Sequence, residues 1–138
     1  MDLPDLEQTL GYLLARAGTA HRNRVERHLA AVGLHSGQVF VLFELWRRDG
    51  QRQIDLAAAL GLAPPTVNKI LGGLLESDLV TRAKYEDDAR STRIFLTDKG
   101  KAIREPLEAQ WAKLEAETCS EFTETEALIL KQLLLKLG

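Results

Sequence analysis

Apolar residues fall into helix-spaced stripes separated by short clusters of turn-forming residues. Leu6, Leu10, Leu13, Leu14 and Ala17 recur at helical spacing and predict a helix from Pro4 to about Val32, ended by Gly33. Gly11 and Gly18 interrupt that stripe, each weaker than alanine by roughly 1 kcal/mol, and their spacing suits close approach by a partner helix. Val39, Leu42, Phe43 and Trp46 predict a second helix over Ser36 to Arg48, closed by the Asp49-Gly50 turn. Leu56, Ala57 and Leu60 then share one helical face, and Gly61 stops it, because glycine enters the left-handed conformation cheaply. Pro64 and Pro65 suit the first turn of a new helix. Val67, Ile70, Leu71 and Leu74 give that helix its apolar stripe, with Thr66, Asn68 and Lys69 opposite.

The pattern next changes period. The runs from Val80 to Tyr85 and from Arg93 to Thr97 read as strands around a polar turn over Glu86 to Thr92. Thr97 then caps a helix running to about Thr118, with Asp98 at its positive end. Ile103, Leu107, Trp111 and Leu114 form its stripe, and Pro106 is expected to kink it. Thr123 and Glu126 form a capping box for a last helix. Ala127, Leu128, Leu130, Leu133, Leu134, Leu135 and Leu137 make it too apolar for the exposed tail of a monomer, so the first and last helices are expected to pair with a second copy.

Two short helices around a tight turn, followed by a hairpin, form a winged helix-turn-helix with the second helix as reader. Thr66, Asn68 and Lys69, with Pro65 at the helix start, carry donors of the kind that reach base edges and phosphates. Arg82, Lys84, Arg90 and Arg93 lie on the hairpin, and an arginine at a hairpin tip fits the narrow minor groove, a role assigned to Arg90.

The run from Leu34 to Gly100 resembles the MarR (multiple antibiotic resistance regulator) family. The matching residues are Leu34 and Gln38; Leu56-Ala57 with Pro65-Thr66-Val67; and Leu74, Leu79-Val80 and Arg82. The most specific are Asp88-x-Arg90-x-x-Arg93 in the wing and Leu96-Thr97-x-x-Gly100 behind it. About half the chain carries these motifs. The resemblance implies a mainly α fold with a small β-hairpin wing (α+β) and a single domain over 1–138. The winged lobe would span 34–100, and 1–33 and 101–138 would be dimerisation helices. It implies a cytoplasmic homodimer on double-stranded DNA, acting as a repressor on a pseudo-palindromic operator. It also implies that Asp88 holds the wing arginines by an ion pair. In such proteins a small-molecule pocket lies between the dimerisation helices and the DNA-binding lobe. Phe43 and Trp46 read first as core and second as lining for it, and no residue selects an effector, although small aromatic compounds are common in the family. Three positions depart from the pattern. Ala63 stands where a serine cap is usual, a loss of typically ~1 kcal/mol. Gly72-Gly73 replace charged residues inside the reader helix, and Asp78 replaces a glycine at its exit.

Composition changes this picture little. The 138 residues, 45% of them apolar, suffice for one domain with a core. No apolar run approaches the ~20 residues of a membrane span, and the acidic N-terminus is no secretory signal. The net charge of −2 does not weigh against nucleic acid, because local distribution matters more than the total. Lys69, Arg82, Lys84, Arg90 and Arg93 cluster, while the C-terminal part is acid-rich.

The sequence carries no nucleophile–base constellation, phosphate-cradling glycine loop or metal-ligand cluster, so neither an enzyme nor a cofactor is expected. His21, His28 and His35 recur every seven residues, whereas metal ligands on a helix favour i, i+3 or i+4. The single cysteine, Cys119, fits a reducing compartment. A redox-sensing role for it is the sharper alternative, but its neighbours Glu115, Glu117 and Glu121 do not favour a thiolate. A protein-interaction module on the same fold is the other; the arginine-rich hairpin speaks against it.

Overall fold

Leu29, Val39, Leu42, Leu45, Leu56, Val67, Leu71, Leu74 and Ile94 are fully buried and form one core. In the computed structural model, residues 3–85 and 88–138 are described, and the side chains of residues 3, 4, 85 and 88–91 lie outside that description. The order is a 3-10 segment (Leu3–Gln8), α1 (Leu10–Ala30), α2 (Ser36–Arg47), β1 (Gln51–Arg52), α3 (Gln53–Leu60), α4 (Pro64–Glu76), β2 (Val80–Tyr85), β3 (Asp88–Leu96), α5 (Asp98–Ala102), α6 (Arg104–Thr118) and α7 (Glu124–Leu137). The strands form an antiparallel sheet in the order β1-β3-β2. This is the mainly helical winged helix-turn-helix expected.

Four boundaries differ from the sequence reading. The first helix is not continuous from Pro4. Thr9 adopts an extended conformation and caps α1, its Oγ1 accepting from the Tyr12 N–H at 3.2 Å and donating to the Leu6 carbonyl at 2.7 Å. A threonine offering local hydrogen bonds competes with a continuing helix.

The second difference is β1, whose two residues are too short for any periodicity. Gln51 pairs with Ile94 and Arg52 with Arg93. The Gln51 side chain is buried and donates to the carbonyls of Glu44 at 2.8 Å and Arg48 at 2.7 Å, so it satisfies the open end of α2. Third, β3 begins at Asp88, so residues 88–92 are strand rather than part of a long turn. Glu86 and Asp87 lie outside the described residues.

Fourth, Pro106 does not kink one long helix; the helix breaks ahead of it at Ile103. A proline ring clashes with the carbonyl four residues earlier, here Ala102, where α5 ends, and Pro106 then sits in the tolerant first turn of α6. The cap at Thr97 is present, its Oγ1 accepting from the Gly100 N–H at 3.0 Å. So is the Thr123–Glu126 capping box.

Gly100 explains why glycine is needed behind the wing. A Cβ there would lie 2.1 Å from the Leu79 carbonyl oxygen. That carbonyl also accepts from the Thr97 N–H at 3.1 Å, and the Trp46 indole N–H donates to the Gly100 carbonyl at 2.9 Å. Asp78 holds φ 59° at the exit of α4, a conformation aspartate tolerates better than most residues.

α1 and α6 are tied together at Glu117. Its carboxylate meets Arg27 and His28 at 2.5 Å each and Arg24 at 3.7 Å. These contacts hold its carboxyl below the usual carboxylate value, the His28 hydrogen bond contributing most. α7 buries none of its residues against the rest of the chain.

Candidate nucleic-acid interface

The reader helix is set by what it buries. Val67, Leu71 and Leu74 face the core completely, so Pro65, Thr66, Asn68 and Lys69 are all exposed on the other side. Gly61 in the left-handed conformation (φ 64°) turns the chain from α3 towards α4. No acidic residue lies in the first turn of α4, so the positive end of the helix is not neutralised there.

Ala63 gives no side-chain cap. The loss is smaller than a missing serine normally implies, because Pro64 and Pro65 have no N–H to satisfy. The remaining Thr66 and Val67 N–H groups both reach the Ala63 carbonyl, at 3.0 and 3.2 Å.

The wing strand lies beside this helix. Arg82 and Lys84 are exposed on β2 and, two residues apart, share a face. The structure brings Asn68 and Arg82 together: Arg82 Nη2 donates to Asn68 Oδ1 at 3.0 Å. Gln53, at the start of α3, donates to the same oxygen at 3.2 Å. Arg93 is half-buried and donates from Nη1 to the Gly50 carbonyl at 2.9 Å, tying β3 to the turn before β1. Close by, a bidentate contact from Arg52 (2.9 and 3.2 Å) holds the Asp55 carboxyl below its usual value. The backbones of Asp88 and Arg90 lie on β3, with Asp88 opposite Tyr85; their side chains are outside the described residues.

Gln53 is the partner of Asn68 that pattern reading missed. Nothing local marks it, since its meeting with Asn68 depends on how α3 packs against α4. The three histidines do not converge: His28 meets Glu117 and His35 meets Glu26.

Among the described residues, two cavities border this lobe. A groove of about 250 Å³ runs between α1, α2 and α6, lined by Gly18, His21, Arg22, Val25, Ser36, Phe40 and Trp111. Phe40 and Trp111 meet edge-to-face with centroids 6.2 Å apart. Phe43 stands behind them, 5.4 Å from Trp111. His21 Nδ1 is buried with no hydrogen-bond partner among the described residues. Trp46 lines a different, open cavity of about 370 Å³ with Asp49, Lys101 and Arg104, and the Arg104 guanidinium lies 5.7 Å from its ring centre. Of the aromatic residues, Phe40 and Trp111 line the groove between α1, α2 and α6, and Trp46 lines the cavity beside Lys101 and Arg104.

An exposed, uncapped reader helix beside a cationic wing strand is the arrangement of a winged helix-turn-helix DNA-binding domain. The MarR family model matches residues 34–92, which run from the α1–α2 turn into the wing. Whole-chain likeness agrees. The transcriptional repressor CouR, solved bound to a 23-mer DNA duplex, superposes with a TM-score of 0.91 at 27% identity, covering 99% of this chain and 97% of that one. The MarR family protein Rv2887 of Mycobacterium tuberculosis, solved with salicylic acid, gives a TM-score of 0.72 at 29% identity, covering 94% and 96%. A MarR mutant from E. coli, complexed with operator DNA, gives 0.89 at 22% identity over 99% of both chains and shares the fold. Residues 34–92 match the MarR family model, and the whole chain has the fold of MarR-family winged-helix DNA-binding transcription regulators.

Proposed function

We propose that this chain is a homodimeric transcription regulator that represses by binding a pseudo-palindromic operator and is released by a small aromatic acid. The observation that carries the DNA-binding part is the exposed row Pro65, Thr66, Asn68 and Lys69 on α4, flanked by Arg82 and Lys84 on β2. In this reading α4 enters the major groove and Arg90 reaches the minor groove, with Asp88 and Arg93 shaping the wing. The DNA-bound repressor among the similar structures supports the repressor role.

The exposed apolar surface of α7 supports dimerisation. Leu128, Ile129, Leu130, Leu133, Leu134, Leu135 and Leu137 are each at least 40% exposed. A 14-residue helix with no buried residue is marginal in water, because helices this short depend on packing for stability. Leu6, Leu10, Leu13 and Leu14 at the other end of the chain are exposed as well. A second copy that covers both segments removes the apolar surface and places two reader helices one DNA turn apart, ~34–36 Å.

The aromatic acid is supported by the α1–α2–α6 groove. Phe40 and Trp111 offer ring edges and faces, and His21 and Arg22 offer a buried, unpartnered nitrogen and a cation. The groove lies where long helices meet the winged lobe, so a ligand that prefers one lobe orientation shifts the dimer away from operator spacing.

The test is Arg90→Ala beside Lys69→Ala, titrated against an operator duplex at several salt concentrations. Each should weaken binding and reduce the salt slope by about one phosphate contact. Parent-like affinity and slope in both would remove the interface as drawn.

A further inference from the structure

The oxygen of Asn68 is already in use. It accepts from Gln53 Nε2 at 3.2 Å and from Arg82 Nη2 at 3.0 Å. A side-chain amide oxygen has two lone pairs, so these two donors saturate it. The orientation of the amide is fixed by chemistry, because a guanidinium has no acceptor and the atom facing Arg82 must be the oxygen. What remains to meet a base edge is the amide nitrogen with its two hydrogens, exposed near the N-terminal end of the reader helix.

An asparagine that is free in both halves pairs bidentately with adenine, donating to N7 and accepting from the N6 amino group. With its oxygen engaged, Asn68 cannot accept. In the major groove guanine presents two adjacent acceptors, N7 and O6. Adenine presents one acceptor beside a donor, thymine one acceptor beside a methyl group, and cytosine a donor. Resting on the DNA-binding reading above, we propose that Asn68 is a donor-only reader selecting guanine in each half-site, and that Gln53 and Arg82 are positioning residues that impose this choice. The bridge also joins three elements, α3, α4 and β2, so base identity at this position is read by a side chain braced from the wing.

The experiment is selection of binding sites from a randomised duplex library by the parent, Asn68→Ala, and the double variant Gln53→Ala/Arg82→Ala. Thermal unfolding of each protein establishes that it is folded; all three positions are partly or fully exposed. The parent should select a half-site with one guanine whose preference Asn68→Ala erases. The double variant should shift that same position towards adenine, because the amide oxygen is released. Discrimination between guanine and adenine in the parent should be on the order of tenfold, the scale of one good base contact. A merely phosphate-binding Arg82 would lower affinity for every sequence and leave the selected base unchanged in the double variant, which would overturn the proposal. So would a parent that selects adenine at the Asn68-dependent position, or an Asn68→Ala profile identical to the parent's. Failure of the parent to enrich any sequence would instead remove the DNA-binding reading, and the inference with it.

Discussion

Replacing Gly100 by alanine should destabilise the chain more than any other single methyl addition at a glycine in the helical segments. The added Cβ would meet the Leu79 carbonyl oxygen at 2.1 Å and the carbonyl carbon at 3.1 Å. Real Cβ atoms keep at least 3.0 Å from such neighbours, so the two backbones must part by about 0.9 Å. Neither side yields easily. The Leu79 carbonyl is held by the Thr97 N–H, and the Gly100 carbonyl by the Trp46 indole. Overpacking a close backbone contact costs typically 1–3 kcal/mol, and loss of the Thr97 hydrogen bond adds about 1 kcal/mol. A destabilisation of about 2–4 kcal/mol lowers Tm by about 8–16 °C at roughly 4 °C per kcal/mol. Thermal unfolding should be followed at one fixed protein concentration, because the Tm of any chain that self-associates depends on it. Gly18→Ala is the control: its Cβ would meet nothing within 4 Å. A Gly100→Ala protein as stable as the control would refute the view that α5 can dock only where residue 100 has no side chain.

Gly72→Ala should stabilise the reader helix by about 0.5–1 kcal/mol, read as a higher urea midpoint, since the added methyl meets open space and alanine is the better helix former. Glu117→Gln should reveal a pH-dependent tie between α1 and α6. Because the carboxyl is held below its usual 4.5, mainly by His28 and then Arg27, its stabilisation is present above that value and lost as pH falls through the lower folded one. The stability gap between parent and Glu117→Gln should therefore be full at neutral pH and narrow under acid; a gap that widens on acidification would reverse the sign of this argument. Leu133→Glu with Leu134→Glu, on the exposed face of α7, should give a monomer in sedimentation velocity at micromolar concentration, where the proposed assembly predicts a dimer for the parent.

Much of this fold is legible in the chain because its signals are local. The Val67–Leu74 stripe, the Gly61 stop, the paired prolines and the Thr97 and Thr123 caps each act within a turn or two, and each stands where the pattern puts it. The misses have non-local or subtler causes. β1 exists only because β3 offers it an edge and Gln51 finds two carbonyls at the end of α2. Thr9 ends one segment and starts another inside an unbroken apolar stripe, and a stripe says nothing about caps. Pro106 marks a break, but periodicity alone does not show whether the helix bends through a proline or restarts just before it. At the interface, residue type and spacing located the exposed row on α4. The hydrogen-bond state of Asn68 depends on Gln53 and Arg82 from other elements and could not be read from its neighbours in sequence.

Sequence-preferring binding to double-stranded DNA through α4 and the wing is the property on which the proposed function stands. Fluorescence anisotropy of a labelled duplex from the region upstream of the chain's own gene, titrated at two salt concentrations beside a scrambled duplex, tests it most directly. Tighter binding to the upstream duplex, weakening steeply as salt rises, is the predicted result. No binding to either duplex at low salt would contradict the claim.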